Sequence, residues 1–354
     1  MKVITSESPY ELTFDTPPSS DFRNKFSEHV RETLKPEEYS GISTSKPPDK
    51  LNRAVMLCRF DLRDSGRTGP KIHCCMCNRK DKFLFGALYW FPQDKRVRLI
   101  GNCCAKVHDA QNFEDANNAL TQRERFECEC DFLDKNLHHT PLLLGEVSKL
   151  APLCKKIMVD RNRFKTMRGF LSEMNKAIKI GGKLNIDVPI HEGEISEFLK
   201  SEGAMDKSDY KIQTVHILEG VEYIDTSFNV SKNCEDIRLF FDGVVPPKSG
   251  SYDAMLLDLV DDEKAVVKLA GEYRRAVGDL RSLYEFLQKA VKFLSDNNLA
   301  GLKRFGADRN THFPFGLKFD DKAARFEMRS TRTGHVFDRG SVAVVPTITI
   351  PNTM

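Results

Sequence analysis

Residues 72–80 read IHCCMCNRK, residues 83–100 read FLFGALYWFPQDKRVRLI, and residues 101–110 read GNCCAKVHDA. A thiol pair on a tight turn, an apolar hairpin-like passage, and a thiol plus an imidazole at a helix start supply the donors for one metal ion. Cys74 and Cys77 have the two-residue spacing that lets both sulfurs of a knuckle turn face the same ion. Asn102 is a suitable N-cap, so a helix is expected to start near Cys103. On that helix Cys104 and His108 are four apart and share a face. Cys103 and His108 stand roughly 140° apart by the 3.6-residue period, which makes Cys103 the poorer donor. The expected ligands are therefore Cys74, Cys77, Cys104 and His108, and the expected ion is zinc. Cys75 in place of Cys74, or His73 as an added donor, remains open. The thiolates would also gain from the positive end of the helix.

Knuckle, hairpin and helix start together resemble the treble-clef or zinc-ribbon-like fold. The I-G-x-x-C-A-x-x-H passage from Ile100 to His108 is similar to a form seen in uncharacterised prokaryotic and phage proteins. The resemblance covers residues 72–108 alone, and no whole-chain family accompanies it. Asn78 follows the second knuckle cysteine where the commoner form has glycine, and asparagine tolerates the left-handed conformation better than most residues. A closed four-ligand site leaves no position open for water, so zinc here holds a fold and does no chemistry. Loss of the metal is expected to unfold residues 72–108.

Composition bounds the remainder. A chain of 354 residues is long enough for two or three domains, and its net charge of +3 is too small for a global electrostatic argument. The start MKVITSESPY has no apolar core of a signal peptide, and no apolar run reaches the length of a membrane span. Reduced thiols in a cytoplasmic protein without a membrane segment are the expectation for the ten cysteines.

The fold class expected is α+β, in four parts. Residues 1–50 read as a flexible lead with one short helix, capped by Asp21, striped by Phe22, Phe26, Val30 and Leu34, and ended by Pro36. Residues 51–140 hold the zinc module and a following helix. Ahead of the knuckle, Met56, Cys58, Phe60 and Leu62 alternate as one face of a strand. Residues 141–300 read as a helical region with a small α/β insertion near 185–250. Phe164, Met167, Leu171, Met174 and Ile178 form a heptad seam, and a second seam runs through Leu269, Tyr273, Ala276, Leu280, Leu283, Leu287, Val291 and Leu294. Two such helices could pair antiparallel as a coiled-coil stalk or a bundle, with Gly278 marking a bend. The insertion carries an acidic helix at 192–200 and strands QTVHILEG and VEYID. Residues 301–354 read as β-rich, with a hairpin around 315–329 and a further strand at 342–350.

No phosphate loop, dinucleotide fingerprint, HExxH or GxSxG occurs, which favours a non-enzyme. Asp258, Asp262 and Lys264 loosely echo a nuclease pattern, but charges on a helix are ordinarily its solvent face. Cys128 and Cys130 lie two apart, about 200° around a helix, which opposes joint ligation. Positive charge concentrates in two stretches: eight basic against two acidic residues over 71–106, and nine against two over 155–183. Arg96, Arg98, Lys106, Arg161, Arg163, Lys165 and Arg168 are the candidate phosphate contacts, with Tyr89, Trp90 and Phe91 as stacking platforms. The function expected is non-sequence-specific association with DNA or RNA. The alternative is a scaffold that meets a protein partner through its amphipathic helices.

Overall fold

The apolar passage at 85–91 forms the central strand of an antiparallel sheet. The computed structural model describes residues 12–47, 54–68, 70–76, 83–108, 110–190, 209–224, 228–246, 250–320, 325–330, 334–338 and 344–351, with backbone alone at 108 and 110–112. Two compact units divide the chain, Met1–Cys128 and Glu129–Met354. The acidic segment 192–200 lies outside the described residues.

In the first unit, β1 (Val55–Asp61), β2 (Phe85–Phe91) and β3 (Arg96–Gly101) lie in that order across the sheet. Helix α1 (Ser20–Thr33) covers one face, where Phe26 and Val30 meet Leu57, Phe60, Leu88 and Trp90. Its N-cap is Ser19 rather than Asp21, and it ends at Leu34 in the left-handed conformation, ahead of Pro36. The lead at 12–47 is therefore part of this unit. The Phe14 amide donates to the Lys95 carbonyl, the Ser43 amide to the Val97 carbonyl, and the Trp90 indole N–H to the Phe14 carbonyl. The other face carries Met56, Ala87, Tyr89, Phe91 and Ile100, against residues of α2 (Asn102–His108) and α3 (Ala110–Asn136). A register shift between Met56 and Cys58 corrects the expected alternation. Met56 turns to the α2 side, while Leu57 and Cys58 both join the α1 side, because a bulge adds one residue and reverses the faces beyond it.

The second unit is built on helices. Helix α4 (Thr140–Thr166) stops at Met167, and α5 (Arg168–Lys179) follows, so the expected single seam is broken. The buried set becomes Phe164, Met167, Phe170, Met174 and Ala177. The break lies against a C-terminal antiparallel sheet of β6 (Phe315–Asp320), β7 (Arg325–Ser330) and β8 (Gly334–Asp338). Phe164 stacks on Phe337 at 4.4 Å, Arg163 Nη1 donates to the Val336 carbonyl at 2.7 Å, and the ring of Phe313 occupies the space where a Cβ on Gly169 would sit. The hairpin at 315–329 forms as expected. The strand expected at 342–350 does not: residues 344–350 have no strand, and β8 takes the edge of β7 instead.

After β4 (Lys183–Pro189) and β5 (Tyr210–Ile217), an antiparallel pair, the VEYI segment is a buried 3-10 turn and not a strand. Gly220, at φ +69°, brings that turn onto the backbone of residue 289, where a Cβ would come within 2.2 Å of the Lys289 carbonyl oxygen. Helix α6 (Val230–Val244) packs along α4 and against the long helix α8 (Glu263–Phe293), which follows the short α7 (Tyr252–Leu259). The two long helices thus belong to a bundle with α6, not to an isolated pair. Asp262 caps α8 by accepting from the amides of Lys264 and Ala265, a structural use of a residue in the nuclease-like echo. Asn298 on α9 (Asp296–Ala307) is fully buried and satisfied. Its amide donates to the Glu219 and Lys292 carbonyls, and its oxygen accepts from the Glu219 amide.

Gly278 does not interrupt α8, is exposed, and would meet nothing within 4 Å on gaining a Cβ. Gly278→Ala is expected to raise stability by about 0.5–1 kcal/mol through lower unfolded-state entropy. A lower midpoint in urea unfolding would contradict it.

Candidate metal centre

Each element of the expected zinc module has a local cause. Ile72 and Phe83 bridge antiparallel through two backbone hydrogen bonds, Ile72 N–H to Phe83 carbonyl at 3.0 Å and the reverse at 2.9 Å. They close the segment that carries the thiols, which turns at Cys75 and Met76. Gly86 and Gly101 face each other in the β2–β3 register, and the Phe83 ring lies where their Cβ atoms would be. Only glycine admits that ring. Strand β3 then runs directly into α2 at Asn102.

The turn reaches the end of the hairpin. The Cys75 thiol donates to the Leu99 carbonyl at 3.5 Å, and Cys74 and Met76 are buried with Ile100 and Ala105. Cys104 is half-buried against the same cluster, whereas Cys103 is exposed. Cys77 and the side chain of His108 lie outside the described residues. Among the described residues, no group of three or more histidine, cysteine or acidic side chains is placed to hold an ion.

The basic candidates divide sharply. Arg98 is 1% exposed: its guanidinium forms a two-pronged pair with Asp94, donates to the Ser45 carbonyl at 2.9 Å and lies 5.1 Å over the Phe91 ring. Burial pushes the Asp94 carboxyl up, but the hydrogen bonds and charge of Arg98 outweigh it and hold it below its ordinary value. Arg161 is equally buried, with Nη1 donating to the Phe228 carbonyl. Neither cation presents itself to a phosphate. Tyr89, Trp90 and Phe91 are core residues of the sheet, so the expected stacking platform is not at the surface. Arg163 is held by Asp160 at 3.2 Å; Arg96 and Lys165 are half-exposed, and Lys106 and Arg168 are exposed.

A feature without any local motif lies on the α2 side of the same sheet. Residues from β1, β2, β3, α2 and α3 enclose a groove of about 310 Å³. Its members are scattered from Met56 to Asn117, which is why no spacing pattern marks them. Compared with known proteins, the chain matches no family model, no curated protein and no solved structure. No helix among the described residues is long and apolar enough to cross a membrane.

Proposed function

We propose that the chain is a non-enzymatic, nucleic-acid-associated protein that binds through phosphates without reading sequence, and that its zinc module is structural. One observation carries this reading. Over residues 155–183 both acidic side chains, Asp160 and Glu173, are buried, while Lys155, Arg168, Lys176, Lys179 and Lys183 are exposed. That stretch offers solvent exposed cations and no exposed carboxylate of its own. The absence of a base-reading motif agrees with purely electrostatic binding.

Fluorescence anisotropy with labelled single-stranded and duplex oligonucleotides, at several salt concentrations, tests the proposal. Each phosphate neutralised contributes about −0.9 to the slope of log affinity against log salt on duplex DNA, and about −0.7 on single strands. Replacing Lys155, Arg168, Lys179 and Lys183 by alanine should flatten the slope and weaken binding to all sequences alike. Dissociation constants no tighter than ~10⁻⁴ M at low salt would remove the proposal.

A second reading has its own observation. Helix α7 buries none of its residues although its sequence is YDAMLLDL, and Leu257 is 72% exposed. Tyr252, Met255, Leu256 and Leu259 are half-buried, so the exposed Leu257 side of this helix is the candidate protein contact. If oligonucleotides fail to bind, and sedimentation shows a self-association that Leu257→Asp abolishes, this reading takes precedence.

A further inference from the structure

The groove beside the sheet has three properties that together define a ligand. Its lining is largely apolar, with Met56, Gly86, Ala87 and Ile100 beside the aromatic Phe85 and Phe113. Its volume, about 310 Å³, is near the lower end for small-molecule sites, ~300–1,000 Å³. The two aromatic residues in the lining suit a flat ring that can stack.

The second property is a donor without an acceptor. Tyr89, 2% exposed, lines the groove, and its hydroxyl is buried with no hydrogen-bond partner. Leaving a buried hydroxyl unpaired costs roughly 1–3 kcal/mol, so an orphan of this kind on a residue that lines a cavity calls for a partner. Burial pushes this phenol above its ordinary value, which keeps its proton available for donation.

The third property is charge. Two cations, Arg59 and Lys106, line the groove, and among the described residues no carboxylate does. Arg59 is fixed in place by α3: Nη1 donates to Asn117 Oδ1 at 2.9 Å, and Nη2 to Glu124 at 3.0 Å. Glu124 offsets its charge and leaves Lys106 as the net positive group. The Lys106 ammonium lies 5.8 Å from the centre of the Phe113 ring.

We propose that this groove binds a nucleobase carrying a phosphate, with a base carbonyl or ring nitrogen accepting from the Tyr89 hydroxyl and the phosphate near Lys106. The same chemistry is presented by a free mononucleotide and by a nucleotide within a single strand. The site is in the first unit and does not depend on the cationic stretch at 155–183.

Isothermal titration of the full chain with each of the four ribonucleoside monophosphates, with the parent nucleosides, with inorganic phosphate and with a short single-stranded oligonucleotide tests it. At least one monophosphate should bind with Kd below about 1 mM, and its nucleoside and phosphate alone each roughly tenfold more weakly. Preference for the oligonucleotide, lost in Tyr89→Phe, would assign the site to a strand; equal affinity for the monophosphate would assign it to the free nucleotide. Tyr89→Phe removes only an unpaired hydroxyl, so it should fold as well as the parent, with unchanged circular dichroism. It should nevertheless bind the monophosphate roughly five- to tenfold more weakly. Lys106→Gln should weaken the monophosphate but not the nucleoside. The proposal is overturned if no monophosphate binds below about 1 mM, or if Tyr89→Phe binds as tightly as the parent. Alanine replacements at 155, 168, 179 and 183 should leave this affinity unchanged, which separates a failure here from a failure of the electrostatic reading.

Discussion

Removal of zinc by a strong chelator, or Cys104→Ser, is expected to release the turn around Cys74 and helix α2 while the three-stranded sheet stays folded. Metal affinity at such sites is worth roughly 10–16 kcal/mol in small zinc peptides, far more than a short turn closed by one backbone bridge can supply. Among the described residues, the bridge between Ile72 and Phe83 joins that turn across its base. The sheet has an independent anchor in α1, through Phe26, Val30, Phe60, Leu88 and Trp90, in a cluster that holds neither Cys74 nor Cys104. Damage therefore stops short of the full 72–108 segment that the linear sequence implicates. Hydrogen exchange should accelerate at 72–76 and 102–107 and remain slow across 86–91 and 97–100. Fluorescence of Trp90, the one tryptophan in the chain, should change little, because its ring packs on the α1 side. Elemental analysis that finds no zinc in protein purified without chelator would end this account.

Arg161→Ala is expected to destabilise the second unit by about 3–5 kcal/mol, the range for breaking one side of a buried charged group. The guanidinium is 1% exposed, donates to the Phe228 carbonyl and lies 5.6 Å from the centre of the Phe286 ring. Asp160, equally buried, and Arg161 both act on the buried Tyr223, whose hydroxyl reaches the Ile157 carbonyl at 3.4 Å. Truncation to alanine strips the Phe228 carbonyl of a donor, opens space beside Phe286, and removes one charge from a buried group of two signs. Urea unfolding measures the loss. Arg161→Met, which refills the space beside Phe286, should recover part of it, while Asp160 keeps its ion pair with Arg163 in either variant. A loss under about 1 kcal/mol for Arg161→Ala would show that the guanidinium is solvated in solution. The same reasoning removes Arg161 from any set of surface substitutions aimed at nucleic acid, because its loss would act through folding.

Short-range chemistry is what the sequence by itself determined. The thiol spacing, the stripe of Phe26 and Val30 on α1, the middle of the α8 seam from Tyr273 to Leu287, and the hairpin that pairs Leu317 with Met328 are all written within one or two turns of chain. Periodicity reports these because the residues that share a face are also close in sequence. Of the four donors expected from the sequence, Cys74 and Cys104 meet one apolar cluster, and the described residues bring no three metal-binding side chains together.

Tertiary structure decided the rest. The bulge after Met56 depends on how β1 registers with β2, about thirty residues away. The stop at Met167 has Gly169 as its one local sign; it lies where Phe313 and β8 dock, about 150 and about 170 residues further on. The VEYI segment becomes a helical turn because Gly220 seats it on α8. Arg98, Arg161 and the Tyr89–Phe91 run look like surface chemistry in a linear reading. Asp94 and Ser45, the Phe228 carbonyl, and the two covered faces of the sheet draw them inside instead. Whether a cation or an aromatic ring faces solvent depends on which distant partner satisfies it, and local sequence carries no record of that partner.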